Sequence, residues 1–366
     1  MSRVWLPCGD YHENYEKDQG WWQTRFIKGK MILLLLVVFA GIPLGIPEYW
    51  VGVGTMVGYT AMGALGVQLL IGFAGLITLG HAAFIAVGAY TSTMLVLQFP
   101  WPQVFVDWGI AYPISVLAAG IAGGLWCVLF GLPSAKVKGF YLILTTMAAQ
   151  FITVDFILTQ YVSQIGGRGQ AFSLPPGTIK VGPWVLDTEV SVYYFMAVLL
   201  TLMIIVVANL LRSKPGRAWV AIRDNDIAAE ALGINVVWYK LLAFFVAGFL
   251  AGIAGAFWVS NTAALSPEHF PWFWSLWLVG VILIGGVGSI HGAVFGSIFM
   301  VVIMEVLQMA MIPLADTFPK LLMDFAYVKD MAFGLAICAF LIYEPNGLGY
   351  RWWQGRNYFN LWPFSY

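Results

Sequence analysis

The sequence predicts an all-α, polytopic integral membrane protein with about eight to ten transmembrane helices. Its 366 residues are 60% hydrophobic and 10% charged, whereas about 25% of the residues in a soluble domain are charged. The mean hydropathy is +0.82. Apolar segments of roughly 15 to 25 residues, the length that a hydrocarbon core of ~30 Å requires, recur along the chain. Composition and segment length both exclude a soluble globular fold.

Ten apolar segments can be drawn, of which the first and the last are short, so eight or nine true spans are also compatible with the pattern. The segments fall near residues 31–47, 50–72, 75–97, 110–132, 139–163, 190–211, 239–260, 270–287, 291–312 and 330–343. We therefore expect a hydrophilic cytoplasmic tail at residues 1–30, a transmembrane domain at residues 31–343 and a cytoplasmic tail at residues 344–366.

The distribution of lysine and arginine predicts that both termini lie in the cytoplasm. With the N-terminus inside, fourteen of the eighteen Lys and Arg residues fall in cytoplasmic segments, and the outside loops hold Arg168, Lys180, Lys320 and Lys329. Cytoplasmic loops of membrane proteins carry this excess of positive charge. An N-in, C-in chain with an even number of spans is expected. Residues 164–189 then form an external loop, whose glycines and prolines favour a structured turn.

Residues 212–244 concentrate polar and charged side chains in an otherwise apolar chain. Pro215 suits the first turn of a helix, where its missing N–H costs nothing. Asp224, Asn225 and Asp226 can cap a second helix, and Gly233 supplies a residue that ends it in the left-handed conformation. We expect two short helices with a bend between them, lying along the membrane face.

Small residues on the second helix favour contact with a soluble partner over an ordinary cytoplasmic loop. Ala228 and Ala229 are adjacent and leave a smooth surface that could enter a cleft of another protein. We call residues 212–238 the coupling segment. The residues expected at the contact are Arg217, Arg223, Asp224, Asn225, Asp226, Ala228, Ala229, Glu230 and Gly233.

Glycines cluster in two apolar segments, as GFAGLITLGH at residues 72–81 and GGVGSIHG at residues 285–292. A single glycine in a span most simply permits close helix packing. A cluster favours broken helices around a water-filled path.

Four ordered motifs resemble the LivM-type permeases of branched-chain amino acid ABC importers, over roughly residues 31–352. The motifs are GFAGLITLGHAAFIAVGAY (72–90), GRAWVAIRDNDIAAEALGINVVWYKLLAF (216–244), IGGVGSIHGAVFGS (284–297) and EPNGLGYRW (344–352). The resemblance implies a multi-pass subunit of the bacterial inner membrane that forms the translocation path. It implies as cargo branched-chain amino acids or a related small solute, such as urea, an amide or an aromatic acid.

The resemblance also implies partners: a second, LivH-like permease, two cytoplasmic ATPases and a periplasmic substrate-binding protein, in surrounding membrane lipid. ATP would be used by the ATPases, and no cofactor or metal would bind to this chain. Importer permeases often carry Glu-Ala-Ala, three residues and a glycine at the ATPase contact. Ala228, Ala229 and Gly233 fit that motif, and Asp226 or Glu230 is the candidate for its glutamate.

The path is expected to be lined by small and apolar residues of the segments at 72–90 and 272–297. Its candidate residues are Gly75, Gly80, His81, Ala83, Phe84, Gly285 and Gly288.

Two rival classes of membrane protein are an ion-coupled secondary carrier and a membrane-embedded enzyme. An ion-coupled secondary carrier would relay protons through Asp155, Glu305 and His81, since ionisable residues inside spans are costly in lipid. A membrane-embedded enzyme would need a catalytic cluster, and the sequence has neither Ser/His/Asp order nor metal-ligand spacing. No Walker A pattern occurs, so the chain is not the ATPase itself. A net charge of zero gives no basic footprint for nucleic acid.

Overall fold

The computed structural model describes residues 25–135, 137, 139–162, 172–173, 179–262, 264–315 and 325–361. Most of the expected N-terminal tail, much of the loop at 164–189 and the last five residues lie outside this part of the chain, as do Lys136 and Lys138.

The regular secondary structure of the described chain is helical apart from four two-residue strands, which confirms the predicted all-α class. The α-helices are α1 Arg25–Leu36, α2 Ile42–Gly45, α3 Glu48–Val67, α4 His81–Leu97, α5 Gln103–Asp107, α6 Ala111–Ser134, α7 Phe140–Phe151, α8 Glu189–Arg212, α9 Lys214–Asp224, α10 Asp226–Ala231, α11 Val236–Thr262, α12 Trp272–Gly285, α13 Ile290–Ala315, α14 Phe325–Tyr343 and α15 Gly347–Leu361. Three π-helical segments, Val37–Gly41, Gln68–Phe73 and Ile152–Val162, extend α1, α3 and α7, and Pro267–His269 forms a 3₁₀ turn.

The strands are β1 Phe172–Ser173, β2 Lys180–Val181, β3 Trp184–Val185 and β4 Ala264–Leu265. They form two antiparallel pairs, β1 with β4 and β2 with β3. The second pair is a hairpin around Gly182, whose φ of +61° is a conformation that glycine adopts without strain. The described part of the loop at 164–189 is therefore a structured turn, as expected from its glycines and prolines.

Eight helical stretches of the described chain are long and apolar enough to cross a membrane, or nine if a bent pair counts as one span. That pair is Tyr327–Tyr343 with Gly347–Tyr358, bent by 43°. The number agrees with the predicted range of about eight to ten spans. The predicted N-in, C-in orientation stays a prediction.

The third predicted segment differs from the structure at its start. It was expected from residue 75, but α4 begins only at His81 and, at 17 residues, is shorter than the candidate spans. Residues 75–80 are non-helical, and Gly75 has a φ of +69°, outside the helical region. Hydropathy does not register such a break because the residues in it remain apolar or small.

The core is formed where α11 packs against α3, α4 and α6. Glycines bring these helices close together: a Cβ atom at Gly252 would lie 2.2 Å from Ala119 O, and one at Gly88 would lie 2.3 Å from Gly252 Cα. Small residues permit such backbone approaches between membrane helices. At Gly88 the close-packing interpretation is confirmed.

Helices α8 and α13 flank α3, and α12 packs against α13. The span that includes α1 is peripheral, with 6% of its apolar window buried, compared with 72% for the α3 span and 78% for the α11 span.

Candidate functional site

The segment between α8 and α11 folds as two short helices with a bend, as predicted. In α9, Pro215 lies in the first turn, and the fully buried Trp219 donates from Nε1 to Tyr239 O at 2.7 Å. This bond joins α9 to the first turn of α11. The helix pair is therefore packed onto the membrane-spanning helices and is not a free loop.

Asn225 is the residue that separates the two helices. Its side-chain Oδ1 accepts hydrogen bonds from the N–H groups of Ile227 and Ala228, both at 3.1 Å. These N–H groups have no partner within the helix, so the cap stabilises α10. After α10, Gly233 has a φ of +85°, and no atom lies within 4 Å of where its Cβ would be. Of the three predicted capping residues, Asn225 provides the cap.

Charged residues of the coupling segment divide into buried and exposed groups. Lys240 of α11 is buried and pairs with Asp226 at 3.7 Å, between Nζ and Oδ2. Arg223 and Asp224 form a more exposed pair at 3.2 Å. Arg217 is exposed and donates to Arg212 O at 3.2 Å. The segment therefore contains a buried ion pair as well as charged side chains on its surface.

Two large apolar side chains are exposed at α10 and directly after it. Ile227 of α10 is 71% exposed and Leu232, which follows the last residue of α10, is 81% exposed; Trp238 in the first turn of α11 is also exposed. Ala228 is exposed beside them, as is Glu230. Ala229 is buried, at 1% exposure, so only one of the two predicted surface alanines faces outward. A capped helix that presents two large apolar side chains has the character of a docking surface.

The two glycine clusters meet in space, at a contact that we call the glycine junction: Gly72, Gly75, Gly286, Gly288 and Gly347. A Cβ atom at Gly72 would lie 2.6 Å from Gly288 N, and one at Gly347 would lie 2.5 Å from Gly286 Cα. Gly75, Gly286, Gly288 and Gly347 all have φ between +69° and +108°. Glycine is required here by both the close approach and the backbone conformation.

Gln68 holds the two sides of the junction together. Its Nε2 donates to Gly286 O at 3.0 Å and to Ser289 O at 2.9 Å. It lies in the π-helical end of the α3 span, and is buried. Sequence reasoning missed Gln68, although an amide in a long apolar run is the signal that could have identified it.

Arg223 connects the coupling segment to the junction. Its Nη1 donates to Gly72 O at 2.7 Å, and a Cβ atom at Gly75 would lie 2.8 Å from Arg223 Cγ. Since Gly347 belongs to the EPNGLGYRW motif, the junction brings together parts of all four motifs. The Arg223 side chain was expected at a surface contact, and the structure places its guanidinium against the broken ends of two spans.

The motif at 344–352 also holds an ion pair. Arg351 donates from Nε to Glu344 Oε1 at 2.8 Å, and its Nη2 donates to the same oxygen. This hydrogen bonding lowers the pKa of the Glu344 carboxyl, so the carboxylate stays ionised at neutral pH. Glu344 lies in the break between α14 and α15.

A polar cavity of about 330 Å³ lies beside the junction, between the coupling segment and the start of α7. Its charged lining residues are Arg223, Asp224, Asp226 and Lys240. Both signs of charge are present, and Gly75 forms part of the wall. The cavity shows that the segment meets the spans through a polar contact, not a sealed apolar one.

The residues expected to line a path lie mostly inside this chain. His81, Ala83 and Phe84 are each 0% or nearly 0% exposed, and a Cβ atom at Gly80 would lie 2.1 Å from Thr146 O. Gly285 is buried against Gly292, whereas Gly75 and Gly288 are at the junction. The structure therefore separates the seven candidates into a packed group at the start of α4 and a group at the junction.

The start of α4 is held by side chains from two other helices. Leu79 N donates to Thr146 Oγ1 at 3.2 Å and Ala83 N donates to Gln150 Oε1 at 2.7 Å. Ala82 N donates to Ser275 Oγ at 2.8 Å. The first N–H groups of a helix lack partners within it, and inside a membrane each must find one. Thr146, Gln150 and Ser275 were not singled out from the sequence.

The three residues of the carrier hypothesis lie in different surroundings. Glu305 accepts a hydrogen bond from Tyr49 at 2.8 Å, and Asp155 is exposed on the π-helical end of α7. His81 packs against Gly66 and is fully buried. Gly66 follows Tyr49 by 17 residues on α3, which is about 25 Å along a helix. Glu305 therefore contacts the first turn of α3, whereas His81 packs against the other end of that helix, and no hydrogen bond links the two among the described residues.

No group of three or more His, Cys, Asp or Glu residues that could hold a metal ion occurs in the described chain.

Comparison with known proteins identifies the same family that the four motifs at the junction resemble. A family model described as branched-chain amino acid transport system / permease component matches residues 49–341. The high-affinity branched-chain amino acid transport system permease protein LivM of Escherichia coli (strain K12) is 27% identical over 344 residues, which cover 88% of this chain and 75% of that protein.

LivM of Salmonella typhimurium (strain LT2) is 26% identical with the same coverage. The corresponding LivH protein of Escherichia coli (strain K12) is 22% identical over 305 residues, which cover 81% of this chain and 93% of LivH. No solved structure matches the chain significantly. The matched region contains α3 to α13 and nearly all of α14, and the chain therefore belongs to the family of branched-chain amino acid transport system permease components, as a multi-pass transport subunit and not an enzyme.

Proposed function

We propose that the chain carries solute across the bacterial inner membrane and that its coupling segment, residues 212–238, is the contact for a cytoplasmic ATPase. The observation that carries the proposal is the combination of an exposed apolar face and an internal anchor on one element. Ile227 of α10 and Leu232 directly after it are exposed, and Arg223 ties the preceding helix to Gly72. Movement of a partner bound to α10 would be passed to the junction through α9.

The orientation that this requires is N-in and C-in, with the coupling segment in the cytoplasm. Lysine and arginine counts support it, because fourteen of the eighteen basic residues fall on that side. The Lys180 hairpin and the chain around Lys329 then face outward.

The proposed assembly contains this chain, a second LivH-like permease, two ATPase subunits and a periplasmic substrate-binding protein. Similarity to both LivM and LivH supports pairing of two related permeases. ATP binds to the partner subunits, and this chain needs no cofactor of its own. The proposed cargo is a branched-chain amino acid or a related small solute, such as urea, an amide or an aromatic acid.

The proposed path runs beside the glycine junction, along the segments at 72–90 and 272–297. Gly75 and Gly288 are its candidates at the junction, and both lie next to Arg223. Gly80, His81, Ala83, Phe84 and Gly285 support it from inside the chain, where they fix the start of α4 and the end of α12.

Co-purification in mild detergent tests the assembly. We expect the tagged chain to recover a second permease and ATPase subunits, and the double substitution I227D/L232D to lose the ATPases while it keeps the second permease. W184D is the matched control, because Trp184 is also large, apolar and 68% exposed, but lies on the β2–β3 hairpin.

Two outcomes would contradict the proposal. Recovery of the chain alone, with intact uptake in vesicles that lack ATP, would favour the ion-coupled carrier. Undiminished recovery of ATPases with I227D/L232D would place the contact elsewhere on the chain.

A further inference from the structure

An apolar groove of about 750 Å³ runs along the outside of α13, against α15. Its wall includes Phe295, Ile298, Val302 and Val306, which follow one face of α13 at helical spacing, with Trp352 at one end. Phe295 and Val306 are eleven residues apart, or about 16 Å along a helix. That length is close to half of a hydrocarbon core of ~30 Å, the depth of one leaflet.

Basic residues gather at the end of the groove that adjoins the glycine junction. Lys30 Nζ lies 4.6 Å from the centroid of the Trp352 ring, which packs against Phe295 at 5.3 Å between centroids. His291 is one turn before Phe295, and Arg356 is one turn after Trp352. Arg356 is close enough to both Lys30 and His291 for the charges to interact. We call Lys30, His291 and Arg356 the basic cluster.

The basic cluster is not neutralised by carboxylates within the part of the chain that the structure describes. Glu344, the acidic residue of the nearby EPNGLGYRW motif, is already paired with Arg351. Lys30 and Arg356 are two cations held together without counter-charges, so they repel each other, and an anion between them relieves this repulsion. The His291 imidazole can donate a hydrogen bond to such an anion. The cluster has the chemistry of a site for a phosphate group.

Aromatic residues place the cluster at the depth where lipid headgroups lie. Tyr343, Tyr350, Trp353 and Tyr358 of α14 and α15 are 40% to 80% exposed. Exposed tyrosine and tryptophan at the end of a span are typical of the membrane–water interface. A basic pocket between helices at that level favours anionic phospholipid.

We propose that the groove and the basic cluster bind one anionic phospholipid. Its phosphate lies among Lys30, His291 and Arg356, and one acyl chain lies in the groove along α13. The charge of the cluster selects the headgroup, and the leaflet-deep groove takes the chain. Because the groove also contacts α15, whose first residue Gly347 packs on Gly286, the lipid braces the helix that closes the junction.

Native mass spectrometry of the delipidated transporter, in the assembly that co-purifies with it, tests the headgroup. Phosphatidylglycerol and phosphatidylcholine with identical acyl chains are added at equal concentration. We expect about a tenfold preference for phosphatidylglycerol, the factor that one or two extra cations at a membrane surface give. K30Q/R356Q should reduce this preference to near unity. K180Q is the control, because it removes a cation from the β2–β3 hairpin, far from the cluster in the proposed orientation. It should leave the preference for phosphatidylglycerol unchanged.

Filling the groove tests the acyl chain. I298W should reduce retention of phosphatidylglycerol, whereas I121W, at an exposed position of α6 outside the groove, should not. Unaltered lipid retention by I298W, together with loss of a second permease from the assembly, would identify the groove as a protein interface and overturn the proposal. Equal retention of the two lipids by the unsubstituted chain would also overturn it.

Photocrosslinking tests the proposal on the unsubstituted chain, so its result does not depend on whether a variant folds. Phosphatidylglycerol with a photoactivatable acyl chain should crosslink to residues 295–306 or 348–352. Crosslinks confined to other helices would overturn the assignment of the groove.

Discussion

At the scale of single residues, Arg223 joins the coupling segment to the membrane spans through a hydrogen bond to Gly72 O. Its hydrogen bond to Gly72 O is charge-assisted, and such bonds contribute about 1.5–3 kcal/mol. We expect R223A to lower solute uptake by about tenfold or more in proteoliposomes containing the whole transporter, because 1.4 kcal/mol corresponds to a factor of ten. ATP hydrolysis should fall less than uptake, so that the number of solutes carried per ATP decreases.

The neighbouring Arg217 offers a matched control for that prediction. It is exposed, and within the described part of the chain its side chain donates a hydrogen bond to Arg212 O of its own segment. R217A leaves the bond from Arg223 to Gly72 in place, so it should lower the ratio of uptake to hydrolysis less than R223A does. Equal effects of the two substitutions would mean that loss of positive charge, not loss of the anchor to Gly72, limits transport.

Arg223 was among the residues singled out from the sequence, but its hydrogen-bond partner Gly72 could not be predicted. A cluster of charge at residues 212–244 is visible in the composition of the segment, as are its capping residues and the glycine that ends it. The bond from Arg223 to Gly72 crosses 151 residues of sequence. Gln68, which joins residues 218 positions apart, was missed for the same reason. The residue pattern of one segment does not specify which distant part of the backbone that segment contacts in the fold.

At the scale of elements, the turn after α10 depends on the conformation of Gly233. Its φ of +85° strains any side chain, although its surroundings leave open space for a Cβ atom. We expect G233V to cost about 1–2 kcal/mol through backbone strain alone, and to increase ATP hydrolysis without transport. Uptake and hydrolysis measured together would detect this. Asparagine tolerates the left-handed region, so G233N should retain coupling; equal defects in both variants would contradict a backbone cause.

Helix packing at the core depends on Gly252. A Cβ atom there would lie 2.2 Å from Ala119 O, a backbone atom that cannot rotate away. We expect G252A to lower the free energy of unfolding by about 1–3 kcal/mol, as overpacking does in other cores, with a lower thermal transition in detergent. G334A is the control, because Gly334 has no atom within 4 Å of its Cβ position. Similar transitions for both variants would mean that α6 and α11 can separate without loss of stability.

Helix positions could be predicted well from hydropathy, and helix breaks less well. Apolar runs bounded the spans to within a few residues for α6, α8 and α13, because lipid requires a long apolar surface there. The delayed start of α4 was not predicted. Its first N–H groups are satisfied by Thr146, Gln150 and Ser275, on helices far away in sequence. A break that depends on such partners leaves little trace in local composition.

At the scale of the whole molecule, the four motifs are distant in sequence and adjacent in space. Gly72 contacts Gly288, Gly286 contacts Gly347, and Arg223 reaches the same point from α9. Each of the four motifs therefore contributes either a glycine or Arg223 to the glycine junction. The segments most exposed to lipid or to partners, such as α1, hold few of these features. The four motifs that resemble the family therefore meet where the coupling segment joins the broken spans.

The orientation of the whole molecule is open to direct measurement. Lys214 begins α9 and Lys180 begins the β2–β3 hairpin, and the charge distribution predicts that they lie on opposite sides of the membrane. In a background with Cys8, Cys127 and Cys338 replaced by serine, we expect K180C to react with a membrane-impermeant thiol reagent in intact cells. K214C should react only after the inner membrane is made permeable. The reverse pattern would mean an inverted chain, in which a cytoplasmic ATPase could not reach Ile227 and Leu232. Labelling of both positions from one side would mean that α8, the one helix between them, with 24 residues and a capped N-terminus, does not cross the membrane.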